Sequence, residues 1–333
     1  MRKNMEGSFL FQLFENKPSA CYIMRPLKIY CKKEKAMKKI MFVMALAAFA
    51  LSAAEVKVLT IGNSFTHSLQ GVLPAIAKAQ GDKLTLAFAN HGGCTIQRHW
   101  QYAEQEEAKA DVKRYKYNGK AVKLRDMLKA EKWDIVTIQQ ASPKSWVKGS
   151  FYPELDKLVA YVKKYAPDAE IVFQQTWAYR SDDPRLEKWG GQKAMYEGIY
   201  NNYKEASAKF GFRVIPAGLA VELAREAQPV KFTAIAPEEI QKAQAAGKGS
   251  RLEQPGSLFM GWYWGTNRKT KQPEFRRDSI HLNTRGRYLQ ACVWYGFLFK
   301  KSPLDIKYKS PALKNEDAAM LRKCADKALK EYK

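Results

Sequence analysis

A hydroxyl group becomes an effective nucleophile near neutral pH when a neutral imidazole takes its proton and a carboxylate fixes the tautomer of that imidazole and stabilises the imidazolium that forms. The chain contains four histidines, His67, His91, His99 and His281, and only His281 has an acidic residue within three positions. It lies in Arg277-Asp278-Ser279-Ile280-His281-Leu282-Asn283, where a turn would set the Asp278 carboxylate beside the ring. The matching hydroxyl is Ser64, in VKVLTIGNSFT (56–66), an apolar and mostly β-branched run that stops at Gly62-Asn63. Such a run, followed at once by turn residues, predicts a buried strand with Ser64 at its carboxyl end. That edge of an open α/β sheet is where loops and helix starts gather main-chain N–H groups around a ligand. Each motif also has a plain structural reading. Ser64 suits a helix N-cap, and His281 suits a surface position beside a helix start capped by Asn283 or Thr284. Together the two motifs are far more specific than either, and they make Ser64 the candidate nucleophile, His281 its base and Asp278 the orienting acid.

Because these residues lie at opposite ends of the chain, the elements between them must bring them together. A helix is expected within Ser68–Gln80, with Pro74 in its first turn. Strand Leu84–Ala89 then leads into Asn90-His91-Gly92-Gly93-Cys94-Thr95. A polar helix is expected over Gln97–Tyr117 and a short one near Lys120–Glu131. Strand Asp134–Ile138, helix Tyr152–Tyr165, strand Glu170–Phe173, a long helix around Gln192–Phe210 and strand Phe212–Ile215 continue the alternation. Strands separated by helices of this length predict a parallel sheet covered on both faces. Further helices are expected at Ala217–Ala227 and Pro237–Ala246. Gly247–Arg277 has five glycines and little periodicity, and reads as a long loop with Phe259, Trp262, Tyr263 and Trp264 clustered ahead of Asp278. Those aromatics either stack on sugar rings or pack among themselves. Helix Arg285–Phe299 closes the core, and a last amphipathic helix sets Leu321, Ala325, Ala328 and Tyr332 on one stripe.

GNSF at Gly62–Phe65, NHGGCT at Asn90–Thr95 and DSIH at Asp278–His281 resemble blocks I, II and V of the SGNH/GDSL hydrolases. IVTIQQAS (135–142) and FQQTWAY (173–179) are similar to the DUF4886-type branch of that superfamily. The resemblance runs from Val56 to Leu304. It implies a flavodoxin-like three-layer α/β/α sandwich with a central, mostly parallel five-stranded sheet, a serine nucleophile and ester hydrolysis. It also implies that the main-chain N–H groups of Ser64 and Gly93 are the first two donors of an oxyanion hole. The superfamily's third donor, an asparagine in block III, has no match here. Strand three runs instead into Gln139-Gln140, whose amides are the expected substitutes, with Gln174 and Gln175 as further candidates. Asn63 stands where the superfamily has the aspartate of GDS. Asn63, Gln175, Trp177, Trp262 and Trp264 are the candidate substrate-binding residues. Neither a cofactor nor a metal is expected, since Cys94 with His91 and His99 lacks a fourth ligand.

Residues 1–36 follow neither structural period and read as an extension upstream of the true start. Met37-Lys38-Lys39, the uncharged run Ile40–Ala54 and the small residues Ser52, Ala53 and Ala54 have the pattern of a signal peptide (37–54), too short for a membrane span. A hydrolase-like domain over 55–305 and a C-terminal helix over 306–333 complete the expected organisation, in an exported protein that is periplasmic or extracellular. The formal net charge is +24; residues 1–54 hold ten Lys and Arg against three acids, which leaves +17 on the remainder. Thinly spread, these charges read as a solvated lysine-rich surface, with acidic glycans as the sharper alternative. No base-reading motif or compact basic stripe points to nucleic acid. Cys94, Cys292 and Cys324, an odd number, define no disulfide framework. The expected activity is a secreted serine ester hydrolase that removes acetyl or other small acyl groups from carbohydrate. The alternatives are a lipase-like or thioester acyl hydrolase and a non-catalytic glycan-binding protein, because fold alone does not choose among them.

Overall fold

The computed structural model describes Ala53–Tyr332, so the expected extension and the expected signal segment up to Ser52 lie outside the described residues. Nine strands are described: β1 (Glu55–Gly62), β2 (Lys83–Asn90), β3 (Tyr115–Tyr117), β4 (Lys120–Val122), β5 (Ile135–Ile138), β6 (Glu170–Gln174), β7 (Val214–Ile215), β8 (Phe259–Thr266) and β9 (Pro273–Leu282). Five of them form one sheet in the order β2-β1-β5-β6-β7. All four of its pairings are parallel. Parallel strands buried on both faces carry near-continuous apolar runs, and β5, Ile-Val-Thr-Ile, is buried at every position.

The main helices are α1 (Ser64–His67), α2 (Val72–Ala79), α3 (Ile96–Ala108), α4 (Glu154–Tyr165), α5 (Gly191–Phe210), α6 (Ala217–Ala227), α7 (Thr284–Phe299) and α8 (Asn315–Glu331). Helices α2, α6, α7 and α8 pack as one layer, while α3 and α4 pack with Leu124–Lys129 in the other. The result is a three-layer α/β/α sandwich. Every residue of α7 from Tyr288 to Phe299 is buried. An α-helix apolar on all sides must be covered on all sides, and α7 accordingly packs against α2, α6 and α8. Strand order reverses at β1, whose neighbours β2 and β5 lead away in opposite directions. The crevice at such a switch point opens at the carboxyl ends of the strands, where Ser64 follows β1.

Two parts of the chain depart from the sequence-based expectation. The polar stretch expected to be helical to Tyr117 leaves the helix at Ala108 and forms the β3-β4 hairpin. Its turn is Asn118-Gly119, both with positive φ (48° and 77°), the pairing that two-residue hairpin turns favour. More consequentially, much of the expected long loop is the antiparallel ribbon β8-β9. Asp278 and His281 therefore belong to a strand and not to a free turn. Asp278 pairs with Gly261 and Leu282 with Phe259, so Ser279, Ile280 and His281 face Met260 alone. This bulge breaks the alternation that would otherwise send residues three apart to opposite faces.

Candidate active site

Ser64 is the first residue of α1, directly after Asn63, which caps that helix through its side chain. The approach to the turn is tight. A Cβ on Gly62 would lie 2.4 Å from Thr66 Oγ1, so only glycine fits. Nε2 of His281 lies 2.9 Å from Ser64 Oγ, and Nδ1 lies 2.7 Å from Asp278 Oδ2. Since the carboxylate only accepts, Nδ1 carries the proton and Nε2 is left to accept from the serine hydroxyl. The other oxygen of Asp278 accepts the main-chain N–H groups of Ile280 and His281 at 3.2 and 2.9 Å, which holds the bulge closed. Burial pushes the Asp278 carboxyl up; the hydrogen bond and charge of His281, with those two N–H donors, outweigh it and hold the group below its ordinary range. The three residues from the two ends of the chain thus form one continuous hydrogen-bonded line.

Two aromatic side chains bind the ends together from beneath. Trp177, fully buried, lies flat on Phe65 with ring centroids 4.1 Å apart and planes within 3°. Its indole N–H donates to the main-chain oxygen of Ile280 at 2.9 Å. One tryptophan therefore touches the residue after Ser64 and the residue before His281. It stands under the site and not in it, so the expectation that Trp177 contacts substrate is corrected.

The same correction applies to the polar residues. Asn63 is buried, with Oδ1 accepting from Phe65 N–H and from Gln139 Nε2, and Nδ2 donating to the Cys94 carbonyl. Gln139 is fully used as well, since its Oε1 accepts from Thr66 Oγ1 at 2.6 Å and from Gln174 Nε2 at 2.8 Å. Gln140 ties the neighbouring loops together: its Oε1 accepts from Ile96 and Ala141 N–H, and its Nε2 donates to the Ser150 carbonyl. Neither amide is directed at Ser64. Gln175 is buried against α6, accepting from Leu219 N–H at 2.9 Å, and does not line the cleft. The glutamine-rich strand ends are a framework that fixes the Ser64 turn.

That framework also places the Gly93 loop, because the Asn63 amide holds the adjacent Cys94 carbonyl at 3.1 Å. Gly93 has φ of 62°, and a Cβ there would meet nothing within 4 Å. No protein acceptor among the described residues takes the main-chain N–H of Ser64 or of Gly93. His99 lies behind the turn, fully buried, with Nε2 2.9 Å from the Gly62 carbonyl and Nδ1 2.9 Å from Tyr115 Oη. Burial pushes its pKa down to about 4, so the ring is neutral at pH 7, donating through Nε2 and accepting through Nδ1. Among the described residues no cluster of three His, Cys, Asp or Glu side chains is suited to a metal ion. Cys94, Cys292 and Cys324 are buried free thiols.

A cleft of about 990 Å³ opens over Ser64 and His281. Its walls include His67, Gln70, Tyr263, Ile280 and five arginines, at 185, 268, 276, 277 and 287. Trp262 and Trp264 are not among them. Both pack on Phe275, with centroids 5.5 and 5.3 Å away, and the Trp264 indole donates to Ser250 Oγ. The aromatic cluster thus packs largely on itself, and it is Tyr263 between them that reaches the cleft. Reading the segment as a loop hid the period-2 alternation that separates these side chains. The arginines were missed because they are scattered in sequence and converge only through the ribbon, α7 and the segment before α5.

Residues 57–232, just over half of the chain, match the family described as Domain of unknown function (DUF4886). Asp278 and His281 lie beyond that span. No curated protein matches the sequence. Among solved structures, a DUF4886 family protein from Bacteroides uniformis is 24% identical, with 83% of this chain and 95% of that one covered and a TM-score of 0.62. A proposed SGNH hydrolase from Slackia heliotrinireducens is 17% identical, with 72% and 97% covered and a TM-score of 0.42. The lipase/acylhydrolase from Enterococcus faecalis is 13% identical, with 77% and 99% covered and a TM-score of 0.40. On the family match, and with a fold shared with the Bacteroides uniformis protein, this chain belongs to the DUF4886 family.

Proposed function

We propose that this protein is an exported serine ester hydrolase that removes acetyl or other small acyl groups from carbohydrate. The observation that carries the reading is the line Ser64 Oγ to His281 to Asp278, with links of 2.9 and 2.7 Å, at the switch point of the sheet. In the first half-reaction His281 Nε2 takes the proton of Ser64 as Oγ adds to the ester carbonyl. The negative oxygen so formed is met by the Ser64 and Gly93 N–H groups, and collapse of the intermediate returns the proton to the leaving alcohol. Water then repeats the sequence on the acyl-enzyme and frees the acid. Asp278 stays ionised throughout, in keeping with its lowered pKa.

A small acyl group is favoured over a long chain by the cleft itself, whose apolar side chains are confined to Met260, Tyr263, Ile280 and Leu282 among many polar ones. A long acyl chain needs a continuous apolar wall to leave water. Export rests on the signal-like segment Met37–Ala54. The test is labelling with a serine-directed fluorophosphonate followed by peptide mass analysis. An adduct on Ser64, lost in Ser64→Ala and in His281→Ala, is the expected result. A folded protein that neither labels nor hydrolyses any acetyl ester would make it a binding protein instead.

A further inference from the structure

We infer that the ester taken by this cleft carries an anionic group, a carboxylate, sulfate or phosphate, on the alcohol side close to the scissile bond. This rests on the esterase reading for the reaction, but the anion site stands on separate observations. Of the five arginines in the cleft wall, only Arg185 has a carboxylate partner among the described residues, the Asp183 side chain at 2.6 and 2.8 Å. Of the other nearby carboxylates, Asp182 is taken by Arg180 and Asp278 by His281, while Glu274, two residues before Arg276 on β9, accepts from the Asn267 amide at 3.3 Å and pairs with none of these arginines. Arg276 is left donating to Tyr263 Oη at 3.0 Å, Arg277 to the main-chain oxygen of Asp182 at 2.8 Å, and Arg287 to that of Leu282 at 3.0 Å. Arg268 has no such partner among the described residues. Four positive charges therefore line one cleft without a carboxylate partner among the described residues, three of them held by neutral dipoles.

Their placement is specific. Arg276 and Asp278 are two residues apart on β9 and share a face, so Arg276 stands roughly 7 Å along the strand from the carboxylate that serves His281. Arg287, in the first turns of α7, bonds to the residue that follows His281. Arg277 lies over the Trp262 ring, 5.4 Å from its centroid, which presets the guanidinium without neutralising it. Arg276 and Arg277 are half-buried and Arg268 and Arg287 exposed, so the first two lose hydration without an internal counter-ion, and a bound carboxylate, sulfate or phosphate restores it through charge-assisted pairs that the exposed two can join. Such a cluster also raises the local concentration of anionic substrate and fails to do so for a neutral one.

The experiment compares acetylated polygalacturonate, acetylated dextran sulfate and neutral acetylated glucomannan as substrates. In parallel, binding of unacetylated oligogalacturonate and of dextran sulfate to Ser64→Ala is measured calorimetrically. Wild-type enzyme is expected to favour one of the acidic polymers over glucomannan by at least about tenfold in kcat/KM, chiefly through KM. Arg276→Gln and Arg287→Gln should each lower that ratio and weaken binding by about tenfold, the scale of one charge-assisted pair. Which acidic polymer is preferred tells carboxylate from sulfate. Turnover without acid preference, or acid binding indifferent to both substitutions, overturns the anion site and leaves the esterase standing. Arginine-dependent binding with no turnover of any ester overturns the esterase and leaves the anion site.

Discussion

The two ends of the candidate active site are built by opposite means. The Ser64 end sits on a five-stranded parallel sheet, and its turn is held by buried amides: Asn63, Gln139 and Gln174 bond to one another and to Thr66 and Cys94. The His281 end sits on a two-stranded ribbon, half-buried, with arginines and aromatics along it. Isolated two-stranded ribbons are marginal on their own, so this one depends on what it leans against. Here the supports include the Trp177 indole donating to the Ile280 carbonyl, the Arg180 N–H donating to the Ser279 carbonyl and Arg277 donating to the Asp182 carbonyl. The difference separates tasks. The sheet end fixes Ser64, while the ribbon end presents His281 together with the arginines of the cleft wall.

The largest effect tests the joint between the ends. Ser64→Ala removes the nucleophile but almost no buried surface. Hydrolysis should fall by at least about 10⁴-fold, equivalent to roughly 5 kcal/mol, with the thermal midpoint close to wild type. Asp278→Asn should cost less than His281→Ala in kcat near neutral pH, because Asp278 acts only through the base. A Ser64→Ala protein that keeps most of its activity would dissolve the assignment.

The next effect belongs to the rigid end alone. His99 titrates near 4 in the folded protein and near its ordinary 6.5 when unfolded, so the unfolded chain binds more protons between those values. Its contribution is therefore complete above about pH 6.5 and is lost as pH falls toward 4, by about 3 kcal/mol in all at 1.36 kcal/mol per unit. Urea unfolding at pH 5 and pH 7 measures this. The difference between the two pH values should shrink in His99→Gln; an unchanged difference would assign the pH dependence to other groups.

How much of this was readable beforehand follows the same division. The sheet and its strand positions could be read because buried parallel strands carry unbroken apolar runs, and the meeting of Ser64, His281 and Asp278 because only one histidine has an acid nearby. The glutamines are not legible in the same way. Gln139 lies where a donor was wanted, and nothing in an amide's identity tells whether it faces substrate or a neighbouring side chain; that is decided by packing across β1, β5 and β6. The ribbon reads as a loop in the sequence because the five glycines of Gly247–Arg277, two of them in β8, and the bulge at Met260 break the alternation that marks a strand. The supporting role of Trp177 leaves no mark in the sequence, since its stacking partner Phe65 is far away along the chain.

The glutamine framework itself can be broken at Gln139. Truncation to Ala leaves Thr66 Oγ1, Gln174 Nε2 and Asn63 Oδ1 each short of a partner. Buried groups left so cost about 1 to 3 kcal/mol, which gives a lowered thermal midpoint. Turnover per fluorophosphonate-reactive serine should change by less than about tenfold. A loss of about 100-fold in kcat with normal stability would restore Gln139 as an oxyanion donor, against its bonding pattern.

The smallest effect asks which aromatic of the ribbon meets substrate. Tyr263 lines the cleft and its hydroxyl accepts from Arg276, whereas Trp264 packs on Phe275 and donates to Ser250. Trp264→Ala therefore removes a contact inside the ribbon and its bond to Ser250, and should cost stability of about 1 kcal/mol with KM for an acetylated polymer shifted less than about threefold. Tyr263→Ala removes a wall of the cleft and frees the Arg276 side chain, so its KM should rise more than that of Trp264→Ala. Measuring both variants against one polymer orders them. If Trp264→Ala has the greater effect on KM while its stability is untouched, the tryptophan reaches substrate and the alternation of β8 has been assigned to the wrong face.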